Sequence, residues 1–152
     1  MVGYTQESDS ETTARAIGRE LPVSPRHSIA ICKHIRGWRL ERAKTFLEDV
    51  TKLKAAVPDN RYGGAGHRRG KVGPGRFPEK AARMILKVLE GAEANAEYKG
   101  LAIEDMKIIH IAAHRGKSWE GRFQRARGRA TPKIRETVNV EVIIREAVDK
   151  EV

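Results

Sequence analysis

Four arginines and one phenylalanine lie within eight residues and give this sequence its clearest chemical signal. The segment consists of Arg122, Phe123, Gln124, Arg125, Ala126, Arg127, Gly128 and Arg129. A guanidinium group donates two parallel hydrogen bonds to a phosphate and stacks on unpaired bases, and a phenyl ring offers a second stacking surface. Glu120 is the only acidic residue between positions 115 and 133. The pattern indicates RNA binding, and the alternative is a solvated, disordered loop.

A second basic segment, about residues 54–77, is rich in glycine. It lacks the Gly-Lys-Ser/Thr ending and the strand-loop-helix context of a nucleotide-binding loop. From Val57 to Phe77 it has no apolar periodicity, which predicts a basic loop without a packed element. We expect a flexible arm that becomes ordered on RNA, with plain disorder as the alternative. Its candidate RNA-binding residues are Arg61, His67, Arg68, Arg69, Lys71 and Arg76.

The sequence offers no set of side chains for catalysis. No acidic pair falls inside the basic segments, and no Ser, Cys or His is placed beside a plausible base. His110 and His114 would make a metal-binding pair on a helix, but on a strand their spacing predicts that they lie too far apart for one ion. We therefore expect no enzymatic activity, metal, cofactor or small-molecule substrate.

The composition points to a polyanionic partner. The chain of 152 residues has 30 Lys and Arg against 20 Asp and Glu, a net charge of +10. Nucleic acid and an acidic membrane surface both fit this excess. No apolar run approaches the roughly 20 residues that span a bilayer, and the first residues show no signal-peptide pattern. The single cysteine, Cys32, excludes an intramolecular disulfide. We expect one soluble intracellular domain, with no membrane partner.

The positive charge is concentrated in three segments. Residues 25–53 carry a net +4, residues 54–80 a net +5 and residues 107–135 a net +8. Such a distribution is typical of a folded body that presents localised basic surfaces to phosphates. The candidate RNA contacts of the first and third segments are Arg26, His27, Lys33, Arg36, Arg39, Arg115, Lys117 and Lys133.

The elements that position these residues begin with a strand and two helices. Period-two alternation over residues 13–21 predicts the strand. Ser24 and Pro25 predict a helix start, because the serine oxygen can cap free amides and proline lacks an amide that would be unpaired. Gly37 ends this helix. A second helix over residues 39–53 has an apolar stripe made of Leu40, Ala43, Leu47 and Val50.

A third helix and two strands complete the predicted body. Pro78 opens the helix, which ends near Tyr98 and buries Ala81, Ile85, Val88, Leu89, Ala92 and Ala96. Residues 108–113 and 138–144 alternate as strands, and their short spacing favours an antiparallel hairpin over about residues 106–145. Its tip lies at about residues 117–132. The segment between the strands predicts an arm of about 13 residues, which would reach roughly 40 Å at ~3.3 Å per residue. A lone two-stranded ribbon is marginal in water, so this arm needs an external, anionic surface.

Three strings in this order and spacing resemble one known family. They are Ala14-Arg-Ala-Ile-Gly-Arg-Glu-Leu-Pro-Val-Ser-Pro-Arg-His27, Ala92-Glu-Ala-Asn-Ala-Glu97 and Arg125-Ala-Arg-Gly-Arg-Ala130. Over roughly residues 14–145 the chain resembles the universal large-subunit ribosomal protein family L twenty-two, called L seventeen in eukaryotes. The insertion at 54–77 resembles its archaeal and eukaryotic branch, and we expect an archaeal source. Bacterial members commonly have proline where this chain has Gln124.

The resemblance implies an α+β fold, with three helices packed on a small three-stranded antiparallel sheet and a long protruding β-hairpin. It implies a cytoplasmic, ribosome-bound protein whose partners are large-subunit rRNA, neighbouring ribosomal proteins and the nascent polypeptide. Arg26 and His27 would then meet rRNA at a helix start, and residues 122–129 would form a tip that lines the peptide exit tunnel. Two other hypotheses stay open at this point: a free-standing RNA- or DNA-binding regulatory module, and a small basic nuclease.

Overall fold

The chain folds into helices packed on a long antiparallel sheet, with a smaller sheet beside them. The computed structural model describes residues 3–59, 64–68 and 72–146. In chain order the elements are β1 (Thr13–Leu21), α1 (Pro25–Ile35), α2 (Leu40–Thr51), β2 (Val57–Pro58), β3 (His67–Arg68), β4 (Gly73–Arg76), α3 (Glu79–Tyr98), β5 (Met106–Gln124) and β6 (Ala130–Glu146). The long sheet has the order β1-β6-β5. The α+β class predicted from the sequence is confirmed.

The apolar stripes predicted for the second and third helices form the core. The four stripe residues of α2 are at most 1% exposed, and the six predicted for α3 are at most 8% exposed. Helix α3 packs on β1 and α2, and α1 packs on β5. From β6 the core receives the alternating side chains Val138, Val140, Val142 and Ile144. Both helix assignments are therefore confirmed.

Gly18 lets α3 approach β1 closely. A Cβ atom added at Gly18 would lie 2.6 Å from Cγ2 of Val88 on α3. Real Cβ contacts are essentially never so short, because atoms at that separation repel strongly. The glycine thus fixes the distance between helix and sheet at this point.

Helix α1 begins at Pro25 as predicted, but without the predicted serine cap. The Ser24 side chain makes no cap hydrogen bond. Instead, the backbone carbonyl of Ser24 accepts hydrogen bonds from the amide and the hydroxyl of Ser28, at 3.1 and 3.0 Å. Proline contributes no amide to the first turn, so fewer donors there require a side-chain partner. The capping part of the prediction is wrong.

Strand β5 does not alternate as strictly as its sequence predicts. A β-bulge lies between Ile108 and His110, so Ile109 is the extra residue in the pairing with β6. The bulge shifts the phase of the strand, and as a result Ile108 and Ile111 both have 0% exposure. The unbroken alternation predicted for residues 108–113 is therefore wrong.

The glycine-rich segment contains packed structure, which corrects the expectation of a loop without any. Strand β4 pairs with both β2 and β3. Val57 is 1% exposed and belongs to the core. Gly75 is buried against the Val57 carbonyl oxygen and the Arg68 side chain, where an added Cβ would find neighbours at 3.2 Å. Glycine is needed here for close strand contact, and sequence reasoning interpreted it as a sign of disorder.

The long hairpin predicted from the two strands is confirmed. Beyond a second bulge, β5 and β6 stay paired from Ser118 opposite Glu136 to Gln124 opposite Ala130. The Thr137 hydroxyl donates a hydrogen bond to the Lys117 carbonyl oxygen at 2.7 Å and stabilises the bulge. All residues from 117 to 132 are exposed. The strand from residue 114 to residue 124 extends roughly 35 Å at ~3.3 Å per residue.

Candidate RNA interface

The hairpin tip presents its arginines on a tight turn. Residues Ala126–Gly128 form a tight turn, in which Arg127 (φ 59°) and Gly128 (φ 70°) have left-handed backbone conformations. The Arg125 amide donates to the Arg129 carbonyl oxygen at 2.7 Å, and Arg125 Nε donates to Thr131 Oγ1 at 3.1 Å. Among the described residues, none of the tip arginines at 122, 125, 127 and 129 has a carboxylate partner. Their charge is available to an external anion.

The arms of the hairpin carry two aromatic rings, each beside a lysine. Phe123 is 47% exposed, and Lys133 Nζ lies 4.3 Å from the centroid of its ring. Trp119 is also 47% exposed, with Lys117 Nζ 5.9 Å from its centroid. An exposed ring next to a cation can stack on a base while the cation meets the phosphate. The arms therefore have the chemistry of a single-strand-binding surface.

Two of the predicted RNA-binding arginines are held by one buried carboxylate. Asp59 Oδ2 lies 2.9 Å from Nη2 of Arg26 and 3.0 Å from Nε of Arg76. The Asp59 side chain is 4% exposed, whereas those of Arg26 and Arg76 are 30% and 34% exposed. The carboxylate thus joins the start of α1 to β4, and each arginine side chain stays partly exposed.

His27, next to Arg26, is a neutral group in this environment. Burial lowers the pKa of His27, and the positive charges of Arg76 and Arg26 lower it further, against a smaller opposing effect of Asp59. Near neutral pH the imidazole can donate one hydrogen bond and accept another, but it adds no charge.

The predicted basic residues near the end of α1 and on the hairpin differ in the contacts that they make within the protein. Lys33 is exposed. Arg36 donates a hydrogen bond to the Ile111 carbonyl oxygen at 3.0 Å, so it ties α1 to β5. Arg39 faces Asp105 at 3.8 Å with 63% of its side chain exposed, which is a weak surface pair. On the hairpin, Arg115 lies 3.7 Å from Glu136 and is 76% exposed.

The small sheet brings His67 and Arg68 to the surface. Both residues are exposed, and Arg68 stacks over Phe77 with its Cζ atom 4.9 Å from the ring centroid. Arg68 Nε also donates to the Gly75 carbonyl oxygen at 3.0 Å. The predicted contacts Arg61, Arg69 and Lys71 lie outside the described residues.

Sequence reasoning missed a cation on an aromatic cluster at the end of α1. Arg42 Cζ lies 4.4 Å from the centroid of Trp38, and Trp38 packs edge-on against His34 and Phe46. The spacing of Trp38 and Arg42, four residues apart around the start of α2, was the signal that could have revealed the pair.

The structure also places two histidines of β5 beside one buried carboxylate. Glu141 Oε1 lies 2.8 Å from Nε2 of His110 and 3.2 Å from Nε2 of His114. Ala112 lies opposite Glu141 in the sheet, so the two histidines flank the carboxylate and lean towards it. Thr5 donates to Glu141 through both its amide and its hydroxyl. The prediction that no histidine lies beside a plausible base is therefore wrong for His110 and His114.

The Glu141 cluster anchors the segment before β1. Burial raises the pKa of Glu141, but the hydrogen bonds from Thr5, His110 and His114 outweigh it and lower the value to about 2. The Glu141 side chain is only 1% exposed. Within the described part of the chain no group of three His, Cys, Asp or Glu residues is arranged to hold a metal ion.

No helix in the described ranges is long and apolar enough to span a membrane.

Comparison with known proteins gives a consistent result over most of the chain. A family model described as Ribosomal protein L22p/L17e matches residues 16–145. The large ribosomal subunit protein uL22 of Methanococcoides burtonii is 51% identical over 146 residues, covering 95% of this chain and 97% of that protein. The uL22 of Methanothrix thermoacetophila is 52% identical, over 88% of this chain and 90% of the relative. That of Methanocaldococcus jannaschii is 47% identical, over 94% of each.

Proposed function

Because this chain belongs to the ribosomal protein L22p/L17e family, as an archaeal-type member, we propose that it binds large-subunit rRNA and lines the peptide exit tunnel with its hairpin. Members of this family are structural, non-enzymatic components of the ribosome. The nuclease hypothesis is therefore dropped. We also expect the protein to lie in the cytoplasm, bound to the ribosome.

The observation that carries the proposal is the exposed, arginine-tipped hairpin. A protruding two-stranded ribbon is marginal in water unless it meets another surface. Every residue from 117 to 132 is exposed, and among the described residues the four tip arginines have no carboxylate partner. Such a ribbon gains the most from an anionic surface, because phosphates both neutralise its charge and release counterions. The rRNA wall of a tunnel is a surface of this kind.

The body contributes a second set of RNA contacts. Cations or hydrogen-bond donors come from the partly exposed Arg26 and Arg76, from the exposed Lys33, and from the exposed pair His67 and Arg68. Asp59 orients the first two of these side chains, which lowers the conformational entropy lost when they bind a phosphate. Phosphate contacts of this type position a protein without reading base sequence.

The tip of the hairpin would approach the nascent polypeptide. The strand from residue 114 to residue 124 extends roughly 35 Å from the body, far enough to cross a layer of RNA. Neighbouring ribosomal proteins would then contact the body. We propose that the arms bind rRNA and that the turn at 126–128 faces the tunnel lumen.

Sedimentation in high salt tests this function against a free-standing regulatory module. A tagged chain expressed in an archaeal host should migrate with large ribosomal subunits and stay there after a wash in high salt. Recovery in the free fraction after that wash, with other large-subunit proteins retained, would contradict the proposal.

A further inference from the structure

A cleft lies where the hairpin leaves the body. It has a volume of about 920 Å³ and opens to solvent. The connection from β1 to α1 contributes Val23 and Pro25, and the start of α3 contributes Lys80. The hairpin contributes Trp119, Ile134 and Arg135. We call this feature the Trp119 cleft.

The hairpin side of the Trp119 cleft exposes large apolar side chains. Trp119 is 47% exposed and Ile134 is 57% exposed, while Val23 on the body side is buried. An occupant that covers the exposed Trp119 side chain is stabilised, because it removes apolar area from water. Apolar surface concentrated beside a cleft is typical of a binding site.

The neighbouring lysine covers the Trp119 ring only loosely. Lys117 Nζ lies 5.9 Å from the ring centroid, at the outer limit of roughly 6 Å for a cation–π contact. Lys133, by comparison, sits 4.3 Å from the centroid of Phe123 and covers one of its faces closely. Trp119 is thus the better stacking platform of the two rings.

The charges around the Trp119 cleft favour an anionic occupant. In the described part of the chain neither Lys80 nor Arg135 has an ion-pair partner. Glu136, the acidic residue of the lining, has its carboxylate 3.7 Å from Arg115. A planar apolar wall with unpaired cations at its rim matches a ligand that is planar and apolar at one end and anionic at the other.

We propose that the Trp119 cleft binds one unpaired nucleotide of the RNA, with its base stacked on the Trp119 indole and its flanking phosphates paired with Lys80 and Arg135. The proposal rests on the RNA-binding function proposed above and adds an extruded base as the ligand. All four bases have a π face, so stacking of this kind tolerates any base identity. A peptide could cover the apolar wall but would leave the two cations without partners.

Trp119 fluorescence can report on this contact directly. The W38F variant of the full chain leaves Trp119 as the single tryptophan. It would be titrated with a short RNA duplex that carries one bulged adenosine, and with the same duplex without the bulge. We expect tighter binding of the bulged duplex, with quenching of Trp119 emission that the paired duplex does not produce.

The W119L variant is the decisive comparison, because leucine keeps apolar volume and removes the aromatic face. Its affinity for the bulged duplex should fall by roughly 5- to 100-fold. Its affinity for the paired duplex, and the salt dependence of both, should stay as they were, since no charge is removed. W119F keeps a ring and should retain most of the preference. The unchanged affinity of W119L for the paired duplex excludes misfolding as the cause of its loss.

Two results would overturn the inference and leave the proposed function standing. One is equal affinity of the parent chain for bulged and paired duplexes, and the other is an equal loss for both duplexes in W119L. Absence of salt-sensitive binding to either RNA would overturn the proposed function together with the inference.

Discussion

Oε1 of Glu141 lies 2.8 Å from Nε2 of His110, on a carboxylate that is 1% exposed in the middle of β6. Because the pKa of Glu141 is lowered from 4.5 to about 2, its charged form stabilises the fold. This stabilisation is fully present above pH 4.5 and is lost as the pH falls through 2. Chemical denaturation of E141Q should therefore show a smaller loss of unfolding free energy between pH 4.5 and 2 than the parent chain shows. E120Q, changed at an exposed glutamate of the hairpin, should follow the parent.

Asp59 is the common partner of Arg26 and Arg76, and its removal should destabilise the body. D59N leaves two partly buried guanidinium groups without their carboxylate. Breaking a fully buried pair costs about 3–5 kcal/mol, and the partial exposure of both arginines reduces our expectation to about 1–3 kcal/mol. Thermal unfolding measures the effect. D105N, which removes the exposed partner of Arg39, should change stability by less than about 0.5 kcal/mol. Equal losses of stability in D59N and D105N would show that Asp59 has no structural role.

Gly18 should reject any side chain as long as Val88 is present. G18A places a methyl group 2.6 Å from Val88 Cγ2, and overpacking of this kind costs about 1–3 kcal/mol. The double variant G18A/V88A should recover part of the loss, as a double-mutant cycle would show. Gly91 in α3 is the control, because nothing lies within 4 Å of an added Cβ there. G91A should stabilise the protein by about 0.5–1 kcal/mol.

The apolar face of α3 should not accept a charge. Leu89 has 0% exposure, so L89D forces a carboxylate into the core at a cost of several kcal/mol and should unfold the body. K87D changes an exposed residue two positions away and should keep the native circular dichroism spectrum. A folded L89D variant would reject the assignment of this face to the core.

The four arginines of the tip should increase the salt dependence of RNA binding. Deleting residues 118–131 and joining the strands with a short turn should leave the body folded, because the paired, buried parts of β5 and β6 remain. The log-log salt slope should shrink by roughly 3–4 units if each arginine neutralises one phosphate. Binding should be weaker but should survive through the body. An unchanged slope would show that the tip does not meet phosphates.

The parts of the fold that follow from local periodicity could be predicted from the sequence. The apolar stripes of α2 and α3 repeat every three to four residues, and the valines at 138, 140 and 142 occupy alternate positions of β6. The buried face of each of these elements can therefore be read from its own sequence. The arginine-rich tip could be predicted because it lies between two segments with the alternating pattern of β-strands. The bulge at Ile109 could not be predicted, because it depends on the pairing of β5 with β6.

Contacts between segments that are distant in the chain could also not be predicted from the sequence. Glu141 accepts hydrogen bonds from Thr5, which lies 136 residues away in the sequence. Asp59 looked like one acidic residue in a basic loop, and its role depends on where β4 places Arg76 relative to α1. The Trp119 cleft likewise forms only where the hairpin meets the connection between β1 and α1. Tertiary packing, which no local pattern encodes, creates all three features.

Cross-linking from the hairpin tip in translating ribosomes tests the central claim most directly. A photo-reactive amino acid would replace Ala126 on the tip turn, and in a control chain it would replace the exposed Glu90 of α3. The account predicts that position 126 cross-links to both large-subunit rRNA and a stalled nascent chain, whereas position 90 does not reach the nascent chain. Cross-links from position 126 that include neither rRNA nor the nascent chain, in ribosomes that contain the protein, would contradict it.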